Sequence, residues 1–147
     1  METRHKIYIS DSRNLKQVPD ESVDLIITSP PYPMIQMWDD LFCSLNPEIY
    51  QTLKKKNAKV SFELMHQELD KVWDELFRVL KPGSFACINI GDATRTIGTN
   101  FQLYSNHTRI ISHFNKIGFD TLPVILWRKQ TNAPNKFMGS GMLPSGA

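Results

Sequence analysis

The run Ser22-Val23-Asp24-Leu25-Ile26-Ile27-Thr28 passes without a break into Ser29-Pro30-Pro31-Tyr32-Pro33, and no other stretch of the chain restricts its fold as much. The first part is nearly continuous in apolar residues, the pattern of a strand buried on both faces in a parallel sheet. The second part cannot continue that strand. Prolines fix their own φ near about −65° and donate no backbone N–H. Ser29, Pro30 and Tyr32 each precede a proline and are pushed out of the α region. The result is a stiff, extended loop at a strand end. It presents carbonyl oxygens with few competing donors, a serine hydroxyl that accepts as well as donates, and a tyrosine ring as a flat stacking surface. The guest that suits this set is a planar ring bearing an amino group.

The rest of the chain alternates strands and helices. Lys6 to Ile9 reads as a short strand ending at Ser10-Asp11, and Leu15 to Val18 as one helical turn closed by Pro19. Trp38, Leu41, Phe42 and Leu45 have helical spacing, interrupted by Pro47; Lys54-Lys55-Lys56-Asn57 reads as a solvated connection. Phe62, Met65, Leu69, Val72, Trp73, Leu76 and Leu80 recur every three or four residues and predict a long amphipathic helix, closed by Lys81-Pro82-Gly83. Ser84 to Ile90 reads as a third strand ending at Gly91-Asp92, Ala93 to Asn100 as a polar loop, and Ile110, Ile111, Phe114 and Ile117 as a second amphipathic helix with Gly118 as its C-cap. A fourth strand is expected over Thr121 to Trp127, before an aperiodic tail from Arg128. The class is therefore α/β with a mostly parallel sheet and flanking helices. In open sheets of that class ligands bind beyond the carboxyl ends of the strands, where Asp11, the Ser29–Tyr32 loop and Asp92 are expected to converge.

Composition closes off several functions. The 147 residues suit one domain, and 41% apolar with 22% charged is ordinary for a globular protein. Cys43 and Cys87 are too few for a disulfide framework or a four-ligand zinc site and read as buried apolar residues. The four histidines, His5, His66, His107 and His113, show no ligand spacing, so no metal is expected. No apolar run reaches the roughly 20 residues of a membrane helix, and the N-terminal stretch lacks a secretory pattern; a cytoplasmic protein is the expectation. A net charge of +2 neither demands nor forbids nucleic acid.

Thr28-Ser29-Pro30-Pro31-Tyr32 at the end of an apolar strand resembles motif IV of the amino-methylating DNA methyltransferases, and its serine resembles the cytosine-N4 branch. Lys6 to Asp11 resembles the strand whose terminal acidic residue contacts the cofactor's adenosine. Trp73 to Gly83 resembles the helix and turn of motif V and just beyond it, Phe85 to Asp92 motif VI, and Phe114 to Asn132 motif VIII. The resemblance implies a partial Rossmann-like, S-adenosylmethionine-dependent fold, with residues 1–132 its catalytic part and 133–147 a loop or the start of a remainder. It implies Ser29, Pro30, Pro31 and Tyr32 as catalytic residues, and Asp11, Ser29 and Asp92 at the cofactor. Arg95, Arg128 and Lys129 stand as candidate contacts to double-stranded DNA, with surface charge the plainer reading of each. Asp11 and Asp92 also read as helix caps.

The family's glycine-rich cofactor loop is not in this sequence. Its single G-x-G, Gly139-Ser140-Gly141, lies in the tail and comes after no expected strand. The chain therefore resembles the front portion of a larger enzyme: a fragment, one subunit of a split enzyme whose second chain carries that loop, or a relic. An open apolar sheet edge is expected of it. Adenine-N6 or RNA amino-methylation, and a non-catalytic nucleic-acid-binding subunit, remain the alternatives.

Overall fold

The computed structural model describes residues 2–127. In chain order it has β1 (Val23–Thr28), α1 (Asp39–Leu45), α2 (Pro47–Lys54), α3 (Ala58–Val79), β2 (Leu80–Ile88), β3 (Ala93–Ile97), β4 (Asn100–Tyr104) and α4 (Asn106–Ile117), with a 3-10 turn over Gln36–Trp38. β1 and β2 pair in parallel, with Leu25, Ile26, Ile27 and Thr28 opposite Phe85, Ala86, Cys87 and Ile88. The register slips between Val23, opposite Leu80, and Leu25. The intervening Lys81-Pro82-Gly83 explains the slip: proline lacks a ladder donor and Gly83 sits at φ +78°. The helix ends at Val79, one residue before the expected Leu80, and Lys81-Pro82-Gly83 lies within β2 instead of closing the helix.

α3 is the structural spine. Met65, Leu69, Trp73 and Leu76 line one face and pack with Met34, Phe42, Ile49, Tyr104, Ile110 and Phe114 in a single core. Burying a side chain of this kind contributes about 1.5–3 kcal/mol each. Trp73 meets Phe114 of α4 at 5.4 Å between ring centroids. Beside that contact the Arg109 guanidinium lies within 2.7 Å of both Glu63 and Asp70, clamping α4 to α3. Pro47 opens α2 instead of only interrupting a helix: it stands in the first turn, where its missing N–H costs nothing, and the Asn46 side chain accepts from the Glu48 N–H.

Four expectations need correction. The segments 6–9 and 121–127 form no strand, and Ile7, Ile9, Ile125 and Leu126 are exposed, because among the described residues no neighbouring strand pairs with either. β1 is covered on one face only: Ile26, Ala86 and Ile88 pack on the core, whereas Leu25, Ile27 and Phe85 stand exposed. Cys87 shares that open face and is exposed too, and Cys43 is only half-buried. Lastly, Ala93 to Asn100 is not a loop. It opens the antiparallel hairpin β3–β4, with Ile97 opposite Asn100 and Gly98 at φ +67° in a two-residue turn.

Candidate active site

The parallel register puts the loop after β1 next to the residues after β2. The Asn89 N–H donates to the Thr28 carbonyl at 2.8 Å, carrying the pairing one step past the strands. From there the two chains part, and Ser29–Tyr32 on one side faces Asn89–Asp92 on the other. Two of the three expected polar clusters thus meet at one sheet edge.

Within the loop, Ser29 is exposed, Pro30 and Pro33 are buried, and Tyr32 is half-buried. The Tyr32 hydroxyl donates to the Asn89 carbonyl at 3.3 Å. Its ring lies along Gly91, where a side-chain carbon would stand 3.4 Å from Cε2, in van der Waals contact. Met34 ends the loop at φ +66°, a left-handed conformation that costs a non-glycine residue about 1–3 kcal/mol. Two contacts hold it there: the side chain is buried in the core, and its N–H donates to the Met65 sulfur at 3.4 Å. The Ile35 N–H donates back to the Tyr32 carbonyl at 3.2 Å. The result is a rigid rim that presents the Ser29 hydroxyl at the surface beside a braced aromatic ring.

The other expected site residues have partners of their own. Asp11 is exposed and does not end a strand. Its carboxylate accepts from the Arg13 guanidinium and from the Arg13 N–H at 2.9 Å, and these bonds hold its pKa below the usual carboxylate range. Arg13 in turn reaches Glu68 of α3 at 2.6 Å. Asp92 accepts from the His107 N–H at 3.2 Å, from His107 Nδ1 at 2.7 Å and from the Ser105 hydroxyl at 3.2 Å, and so caps the start of α4. The Arg95 guanidinium, largely buried, makes a two-pronged pair with Asp39 at 2.7 and 2.6 Å. A phosphate at Arg95 would have to compete with that carboxylate. Arg128 and Lys129 lie outside the described residues. Lys54, Lys55 and Lys56 are exposed, as a solvated connection requires. No cluster of three or more histidine, cysteine or acidic side chains suited to a metal occurs among the described residues, and none of their helices is long and apolar enough to cross a membrane.

Two residues at the site escape a reading of motifs. Asn106, the first residue of α4, and His66 of α3 are buried and bonded to each other at 3.0 Å. One signal did exist for His66: it falls on the apolar stripe Phe62, Leu69, Trp73, Leu76, where a polar side chain needs a partner. Nothing local marks Asn106.

The family model for DNA methylases matches residues 23–142, from the start of β1 onward. The chain belongs to the DNA methylase family. Asp11 precedes the matched span; the Ser29–Tyr32 loop, Asp92 and Asn106 lie inside it. The family description takes in N6 and N4 methylases alike. The chain is 53% identical over its whole length to the Type II methyltransferase M.MthZI of Methanothermobacter thermautotrophicus, of which it covers 42%. It is also 53% identical to the Type II methyltransferase M.MjaI of Methanocaldococcus jannaschii, over 99% of this chain and 52% of that one. The fold is similar to that of a protein of Thermus thermophilus described as a DNA modification methylase and solved in complex with S-adenosyl-L-methionine. That likeness has a TM-score of 0.66 and 29% identity, and covers 92% of this chain and 49% of the other. The chain thus spans about half the length of the proteins it matches.

Proposed function

We propose that this DNA methylase chain carries the base-holding part of an enzyme that transfers a methyl group from S-adenosylmethionine to the exocyclic N4 of cytosine in duplex DNA, as the modification enzyme of a restriction–modification system. The observation that carries the reading is the loop itself: an exposed Ser29 hydroxyl at the carboxyl end of β1, followed by a tyrosine ring braced at Asn89 and Gly91. The family match, the Type II methyltransferase relatives and the cofactor-bound structural neighbour support it.

Cytosine N4 is a poor nucleophile because its lone pair is delocalised into the ring. Acceptors aimed at its two N–H bonds favour a more tetrahedral nitrogen and turn the lone pair toward an incoming methyl. The Ser29 hydroxyl and the Pro30 carbonyl are the acceptors in this reading, and Tyr32 stacks on the base. Flipping a base out of the duplex costs a few kcal/mol, and stacking on an aromatic ring returns about 1–3 kcal/mol. No covalent intermediate on the enzyme is needed; positioning and aimed dipoles do the work. The methyl donor supplies an electrophilic carbon. On this chain Ser29, Asp11 and Asp92 are the residues that would hold it, the two aspartates each after exchanging a present partner. The glycine-rich loop belongs to the rest of the enzyme, on the same chain or a second one. Arg128 and Lys129 are proposed at DNA phosphates.

Nucleosides from DNA treated with the active enzyme, analysed by mass spectrometry, test the reading. N4-methylcytosine is expected, with loss of product in Ser29→Ala and Tyr32→Ala. N6-methyladenine in its place would overturn the N4 assignment, and full activity of both variants would overturn the role of the loop.

A further inference from the structure

The seat of Tyr32 is built from two stretches of backbone, and one buried side chain holds both. Asn106 Nδ2 donates to the Pro33 carbonyl at 3.2 Å and to the Gly91 carbonyl at 3.0 Å. Pro33 directly follows Tyr32, and Gly91 lies against the Tyr32 ring. Two carbonyls fix the orientation of the amide, because only its NH2 end can face them. Its oxygen then faces His66 Nε2 at 3.0 Å, so that nitrogen is the donor. Burial keeps the ring neutral, lowering the His66 pKa to about 4. Both side chains are fully buried. A buried amide is costly unless its bonds are made, and here one group joins α3, α4 and the loops that follow both parallel strands. Two donors at one end and an acceptor at the other is an arrangement that only a carboxamide side chain offers.

Resting on the loop reading above, we propose that Asn106, backed by His66, is a positioning residue for methyl transfer: it sets the gap between the ends of β1 and β2, and so holds Tyr32 and, through the stiff prolines, Ser29 in register with the target base. The group touches neither base nor methyl donor. Its loss changes the geometry of attack more than the affinity for either substrate.

The test uses the active enzyme, with these residues in their full context, and measures single-turnover methyl transfer alongside the dissociation constants of DNA and S-adenosylmethionine. Asn106→Ala is expected to slow transfer by about tenfold or more while both constants stay within about threefold. Should Asn106→Ala not fold, the His66 pair decides. His66→Gln keeps an N–H donor for the Asn106 oxygen and is expected to recover most of the rate, whereas His66→Leu is expected to behave as Asn106→Ala. Weakened binding with an unchanged transfer rate, or identical rates for His66→Gln and His66→Leu, would overturn the proposal. Ser29→Ala and Tyr32→Ala, run in parallel, separate the two ideas. An inactive Ser29→Ala beside an unimpaired Asn106→Ala overturns the positioning role alone; full activity of both Ser29→Ala and Tyr32→Ala overturns the loop reading and this role with it.

Discussion

At the scale of the residue, the seat of Tyr32 depends on side chains far from it in sequence: Asn106 donates to the Pro33 and Gly91 carbonyls, and His66 bonds to Asn106. Ser29 and Tyr32 stand out because prolines surround them. Met34 does not, yet its left-handed backbone and burial fix where the loop ends. His66 was visible as one of four histidines without ligand spacing, but its partner Asn106 is 40 positions away along the chain. The buried imidazole has a measurable consequence. Its pKa is lowered from 6.5 to about 4, chiefly by desolvation. Between those values the unfolded chain binds a proton that the folded chain refuses. The contribution of a neutral His66 is therefore complete above pH 6.5 and is lost as pH falls through about 4. The loss amounts to about 3 kcal/mol over that window. Urea unfolding from pH 7 to pH 4 should show that extra acid sensitivity in the parent protein and not in His66→Gln. Parallel curves for the two would remove the burial effect.

At the scale of the element, long periodic segments were legible and short or outward-facing ones were not. α3 follows from its apolar spacing, and Gly118 marks the end of α4 as expected, with φ +115° and with both its own N–H and that of Phe119 donating to the Phe114 carbonyl. Gly118→Ala should destabilise the fold by about 1–2 kcal/mol. A β-carbon there is strained by the backbone angle and would stand 3.1 Å from Phe77 Cζ. Because the Phe77 ring is half exposed and can shift, the backbone term dominates. Denaturant titration of the variant checks this, and an unchanged midpoint would contradict it. The hairpin β3–β4 was missed because its alternation is inverted. Phe101 and Leu103 point outward and are exposed, opposite Thr96 and Thr94, so period two did not register as a core-facing strand. The segments 6–9 and 121–127 failed in the opposite way. Their residue types favour strands, but a strand exists only with a neighbour to bond.

At the scale of the whole molecule, the α/β class and the meeting of two strand ends were readable from the order of elements, whereas the one-sided burial of the sheet was not. Apolar continuity in β1 signals burial on both faces, and here Leu25, Ile27 and Phe85 remain in contact with solvent. The 147 residues alone are expected to associate as concentration rises, since open apolar faces of this kind drive contact. Sedimentation velocity should show the average mass climbing with concentration, and Ile27→Lys combined with Phe85→Lys should flatten that rise. A monomer at every concentration in the parent chain would refute the expectation.

The parallel pairing of β1 with β2 also sets an order in time. Leu25 can meet Phe85 only after α1, α2 and α3 lie between them, and closing so long a loop is slow relative to the local folding of those helices. On an emerging chain, Ser29 and Tyr32 leave the ribosome before residues 85–88 and acquire a neighbouring strand only when those emerge, and their buried amide only when α4 does. The loop is thus made before the backbone and side chains that seat it.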